Sequence, residues 1–104
     1  MGIRHIALFR WADGVTEDQV AGVAAALSVL PAAVPQLQAY AFGPDVGISE
    51  GAYDFGVVAD VADPEGFAGY RDHPEHQKAL GVILPLLADR AAIQFRLPDT
   101  PGEP

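Results

Sequence analysis

Tyr53-Asp54-Phe55-Gly56-Val57-Val58-Ala59-Asp60-Val61 is the stretch whose pattern decides the fold. Tyr53, Phe55, Val57, Ala59 and Val61 alternate onto one face, as the period of a strand requires. Val58 stands on the other face, so that face is not wholly polar either. Directly afterwards, Asp63-Pro64-Glu65 offers an N-cap, a first-turn proline and an acid suited to a helix N-terminus. A short helix is therefore expected as far as His73-Pro74, where the proline ring drives its predecessor out of the helical region. A second helical piece should run from Glu75, carrying Leu80, Ile83, Leu84 and Leu87 and kinked at Pro85. Ala91, Ile93, Phe95 and Leu97 then alternate as a final strand.

Upstream of the deciding stretch, Ile3, His5, Ala7, Phe9 and Trp11 alternate with Arg4, Ile6, Leu8 and Arg10, which reads as a first strand. Asp13-Gly14 turns the chain, and Thr16 with Gln19 forms a capping box flanked by Val15 and Val20 as a hydrophobic staple. Helix one should start near Glu17, bury Val20, Val23, Ala24, Leu27 and Leu30, and end at Pro31 to Pro35. Leu37 to Gly43 reads as a second strand, followed by a glycine-containing loop from Pro44 to Ala52, a candidate lid or interface arm.

The order β-α-β-β-α-β is the split βαβ arrangement of an α+β, ferredoxin-like sandwich, with its helices on one face of an antiparallel sheet. That arrangement leaves the other face bare. Strands one and three carry apolar residues on both faces, and an exposed apolar sheet face is most often covered by self-association. A homodimer is expected, with two protomers packed sheet to sheet.

At 104 residues the chain is long enough for one domain with a modest core. Half of the residues are hydrophobic and 19% are charged, which excludes a disordered chain. Six basic residues against fourteen acidic ones give a net charge of −8, so no basic stripe is available for a phosphate backbone and nucleic acid is not an expected partner. There is no cysteine, hence neither a disulfide framework nor thiolate chemistry. No leader-like segment opens the chain and no run reaches the length of a membrane span, so neither a membrane association nor an address outside the cytoplasm is expected.

Chemistry concentrates in Tyr70-Arg71-Asp72-His73-Pro74-Glu75-His76-Gln77, which holds a tyrosine and two of the three histidines. With Pro74 opening a helix, His76 falls in its first turn. There the helix amides disfavour a positive imidazole, whereas Asp72 and Glu75 favour one.

Taken in order, Ile3-Arg4-His5-Ile6 with Phe9, Asp13-Gly14-Val15-Thr16, Gly43-Pro44-Asp45, Tyr53-Asp54, and Tyr70 with His73-Pro74-Glu75-His76-Gln77 resemble the Dabb family of stress-responsive dimeric α/β-barrel proteins. The resemblance extends over residues 1–97 and leaves 98–104 as a flexible proline-rich tail. It implies two ferredoxin-like protomers packed sheet against sheet, each with a cavity between sheet and helices. A plant cyclase of that family closes a linear tetraketide thioester by aldol condensation with a tyrosine and a histidine in a similar stretch. By that likeness the catalytic pair falls on Tyr70 and His76, the proline-preceding histidine on His73 and the strand-one histidine on His5.

The residue types suit those roles. Imidazole titrates near neutrality and can take a proton beside a carbonyl, which makes His76 the candidate base. Tyr70 would donate a hydrogen bond to the carbonyl oxygen as charge grows on it. His5, His73 and Phe9 are candidate substrate-binding residues, and Trp11, Tyr40, Phe42, Phe55 and Phe67 are candidates for either cavity wall or plain core. No cofactor is expected. Some plant relatives carry magnesium, but Asp13, Asp45 and Asp54 are scattered and the histidine spacing does not suit zinc, so no metal is expected.

The function expected from these residues is small-molecule binding, with cofactor-free acid-base cyclase or isomerase chemistry on a polyketide-like carbonyl compound. Two alternatives stand beside it. One is a non-catalytic stress-responsive dimer whose interior is filled by side chains, and the other is a cofactor-free monooxygenase on the same fold.

Overall fold

The computed structural model describes residues 2–98, so most of the expected tail lies outside the described residues. Four antiparallel strands, β1 (Ile3–Trp11), β2 (Ala39–Pro44), β3 (Phe55–Val61) and β4 (Leu87–Arg96), form one sheet in the order β2-β3-β1-β4. The helices α1 (Glu17–Ser28), α2 (Leu30–Ala33), α3 (Pro64–Asp72) and α4 (Pro74–Ile83) close over one side of it. This is the ferredoxin-like arrangement.

The faces follow the alternation. Phe9, Phe55, Val57, Ala59 and Val61 are buried under the helices, where they meet Val23 and Leu27 of α1, Leu30 of α2, Tyr70 of α3, and Ala79 and Ile83 of α4. At one end Phe55 packs against Phe9, Trp11 and Phe42, with ring centroids 6.2, 5.7 and 6.2 Å away. Phe42, Phe55 and Trp11 therefore fill the core.

On the other face Ile6 lies opposite Val58 and Ile93, and Arg4 lies opposite Phe95. Ile93 is 57% exposed and Phe95 42%. Beside them Arg4 grips Asp60 with two hydrogen bonds of 2.8 and 2.9 Å. The ordinary place for such an apolar patch is an interface. In the loop after β2, Asp45 N–H donates to the Asp54 carbonyl at its base, Gly47 and Gly51 take positive φ, and Val46 and Ile48 stand in solvent.

Several boundaries differ from those expected. The capping box forms as anticipated, with Gln19 N–H donating to Thr16 Oγ1 and Thr16 N–H to Gln19 Oε1. Helix one, however, stops at Ser28, and the proline segment expected only to end it contributes the extra turn α2. Pro31 sits in the first turn of α2, where a missing N–H leaves no helical bond unmade. Strand β2 begins at Ala39 rather than Leu37, and β3 at Phe55 rather than Tyr53. Leu87, expected on the last helix, is the first residue of β4. Pro85 does not kink α4 but lies in the 3₁₀ turn Leu84–Leu86 that ends it, and pairing with β1 draws Leu87 to Arg90 into the sheet. No described helix is long and apolar enough to cross a membrane.

Candidate active site

The site is built by the break between α3 and α4. Pro74 forces His73 into extended backbone, φ −62° and ψ 137°, so His73 ends one helix and caps the next. In an unbroken helix the Glu75 N–H would donate to the Arg71 carbonyl. Here it donates to His73 Nδ1 at 3.1 Å. The freed Arg71 carbonyl accepts instead from His76 Nδ1 at 2.9 Å and from Gln77 Nε2 at 2.7 Å.

This substitution fixes the chemistry of His76. A carbonyl oxygen can only accept, so Nδ1 carries the proton, and in the neutral ring Nε2 keeps its lone pair. Burial pushes the His76 pKa below its ordinary value and His73 adds to that, while the Arg71 carbonyl and Asp72 oppose it. The ring is therefore neutral at pH 7. Its centroid lies 4.4 Å from that of Tyr70.

Tyr70 is 2% exposed, and burial raises its phenol pKa, with Tyr40 partly offsetting the effect. It stays protonated and can donate. His5, on β1, lies 5.2 Å from the ring of Phe67 and 6.1 Å from that of Tyr70. With the Gln94 amide donating to His5 Nδ1 at 2.8 Å, the His5 proton sits on Nε2. Burial, and then the proximity of His76, lower the pKa of His5 too.

These groups line one cavity of about 380 Å³ between the sheet and α1, α3 and α4. His5, Phe9, Phe67, Tyr70 and His76 share its wall with aliphatic groups such as Leu27, Val57 and Ile83. The volume falls in the range of small-molecule pockets. His73 does not line it. The structure thus brings four of the five expected site residues together and gives the fifth a capping bond behind them.

Sequence reasoning missed Gln94, which orients His5 across 89 residues of chain, and Arg90, which lines the cavity from β4. Both lie on the helix-facing side of β4, opposite His5 and Phe9 respectively. Extending the period-two pattern back from Gln94 through Ala92 would have found Arg90. The ring of Tyr40 lies 6.2 Å from that of Tyr70 between centroids, and its hydroxyl is buried.

Asp54 Oδ2 accepts from Trp11 N–H and Asp45 Oδ2 from Gly47 N–H. Among the described residues no three histidine, aspartate or glutamate side chains are grouped to hold a metal ion.

The stress responsive A/B barrel domain model, Dabb, matches residues 3–97. The chain belongs to the Dabb family. A crystal structure of a dimeric ferredoxin-like protein of unknown function from Thermobifida fusca is 62% identical, with a TM-score of 0.89 over 93% of this chain and 92% of that one. An uncharacterised Streptomyces coelicolor protein is 34% identical over 85 residues, which is 79% of this chain and 84% of that protein. The hydroxynitrile lyase of Passiflora edulis is 14% identical, with a TM-score of 0.82 over 95% of each chain, and shares the Dabb fold.

Proposed function

We propose that this Dabb protein is a homodimer that binds a small carbonyl compound and acts on it as a cofactor-free acid-base catalyst, by cyclisation or isomerisation. The observation that carries this reading is the bond from His76 Nδ1 to the Arg71 carbonyl, which leaves a basic Nε2 on a neutral ring in the cavity wall beside Tyr70. In the reaction His76 Nε2 takes a proton from a carbon flanked by two carbonyl groups. Tyr70 donates its hydroxyl hydrogen bond to the oxygen on which the enolate charge develops, in surroundings where apolar walls strengthen that bond. The enolate carbon then attacks a further carbonyl of the substrate and closes a ring, the alkoxide so formed taking the proton, or the enolate is reprotonated at a different carbon. In either case the proton returns from His76, so nothing is oxidised or reduced. His5 holds a polar end of the substrate, Phe9 packs against its body, and His73 caps the helix that carries His76.

The non-catalytic reading needs an interior filled by side chains, and the open cavity with polar groups in its wall speaks against it. Dimerisation rests on the bare face around Ile6, Val58, Ile93 and Phe95, and on the dimeric state of the Thermobifida protein. The monooxygenase reading has no specific observation in its favour.

Deuterium exchange at the central carbon of nonane-2,4-dione in D₂O, followed by NMR, tests the proton transfer without assuming the natural substrate. The protein should accelerate exchange and His76→Ala should return it to the buffer rate. Tyr70→Phe should slow it by roughly 10²–10³-fold if the phenol acts as the oxyanion donor. Exchange by His76→Ala at the wild-type rate, in a folded protein, would remove His76 from the mechanism.

A further inference from the structure

The charge of the cavity wall runs against that of the protein. The chain has fourteen acidic and six basic residues, yet among the described residues no aspartate or glutamate lines the cavity, whereas Arg71 and Arg90 do. The two arginines are not equivalent. Arg71 is held by Asp72, Nε to Oδ1 at 2.9 Å and Nη2 to Oδ2 at 3.2 Å. Arg90 has no side-chain partner among the described residues: its neighbour Asp89 lies on the opposite face of β4, where its Oδ2 is 3.4 Å from the Tyr53 hydroxyl. Arg90 is exposed and lines the cavity, which places it at the mouth.

From Arg90 the wall is apolar, formed by Ala92, Val57, Leu27 and Ile83, until it reaches His5, Tyr70 and His76. Gln94, the partner of His5, lies four steps along the strand from Arg90, a span of about 13 Å. One end of the cavity thus offers a free guanidinium and the other two imidazoles and a phenol, with aliphatic surface between.

We propose that the ligand is an amphipathic monoanion of medium chain length, a carboxylic acid whose carboxylate is taken by Arg90 at the mouth while its carbonyl-bearing part reaches Tyr70 and His76. A guanidinium can hold a carboxylate through two parallel N–H···O bonds, a geometry that an amide or ester cannot reproduce. The net charge of −8 repels polyanions, so a single carboxylate that reaches an unpaired arginine is the species favoured. This proposal names the substrate class for the site described above and rests on that site being the binding cavity.

Isothermal titration with octanoate and with octanamide tests it without requiring turnover. Wild-type protein should bind octanoate at least tenfold more tightly than octanamide. Arg90→Gln, an exposed change, should erase that preference by weakening octanoate at least tenfold more than octanamide. Arg71→Gln should keep most of it, because that guanidinium is already engaged by Asp72. Equal affinity for the two ligands, no binding of either, or a preference that survives Arg90→Gln would overturn the proposal. Because nonane-2,4-dione carries no carboxylate, its exchange can succeed while this titration fails, so the two outcomes are separable.

Discussion

Replacement of His73 separates a residue that touches substrate from one that shapes the backbone. In the structure its Nδ1 accepts the Glu75 N–H at 3.1 Å and its ring stands outside the cavity wall. His73→Ala removes the cap from α4 and leaves that N–H without its partner, a loss of about 1 kcal/mol by analogy with other N-caps. For a domain of this size that corresponds to a fall in Tm of about 4–8 °C. Asn accepts the same bond, so His73→Asn should recover most of the loss. Thermal melts at one fixed protein concentration read this directly, since dimerisation makes Tm depend on concentration. The dione exchange rate should stay within a few-fold of wild type in both variants, because the Arg71 carbonyl still holds His76. The reasoning is refuted if His73→Asn is as unstable as His73→Ala, or if either variant loses exchange to the degree that His76→Ala does.

Two further outcomes follow from the same geometry. The exchange rate should rise with pH through an apparent pKa below 6.5 and reach a plateau by neutrality, with no second limb below about pH 10, because burial lowers the pKa of His76 and raises that of Tyr70. The same depression of His5 and His76 sets the sign for stability. Below pH ~6.5 the unfolded chain takes up protons that the folded chain refuses, so stability falls with acidification until the folded histidines also titrate. Denaturant melts should show this loss, and it should shrink in His76→Gln. On the bare sheet face, Ile93→Glu should break the proposed dimer, since each buried unpaired charge costs about 3–5 kcal/mol and the substitution would enter a twofold interface twice. Sedimentation should show a folded monomer, and an intact dimer would place the interface elsewhere.

Much of this site was legible in eight residues. Pro74 dictates the break, the break frees the Arg71 carbonyl, and His76 and Gln77 are the nearest side chains able to donate to it. The fold was legible for a related reason: Phe55 to Val61 and Ile3 to Trp11 carry strand alternation strong enough to survive tertiary context. What the sequence hid depended on pairing. Leu87 to Arg90 has weak strand character, and only its partnership with β1 makes it part of β4. Arg90 consequently escaped notice as a cavity residue. Gln94 reaches His5 from the far end of the chain, and no local pattern encodes such a contact. Likewise Pro31 reads as a terminator in isolation, but following Leu30 it starts another turn, because the first turn of a helix has no use for its missing N–H.

The most direct test of the account is the tautomer and titration of His76, read by ¹⁵N NMR on histidine-labelled protein with His76→Gln used for assignment. The ring should be neutral at pH 7 with the proton on Nδ1, Nε2 unprotonated, and a titration midpoint below 6.5. A proton on Nε2 would mean that the Arg71 carbonyl does not hold the ring as described and that Nε2 cannot take the substrate's proton, and a midpoint above 6.5 would mean that burial does not set the charge of the ring.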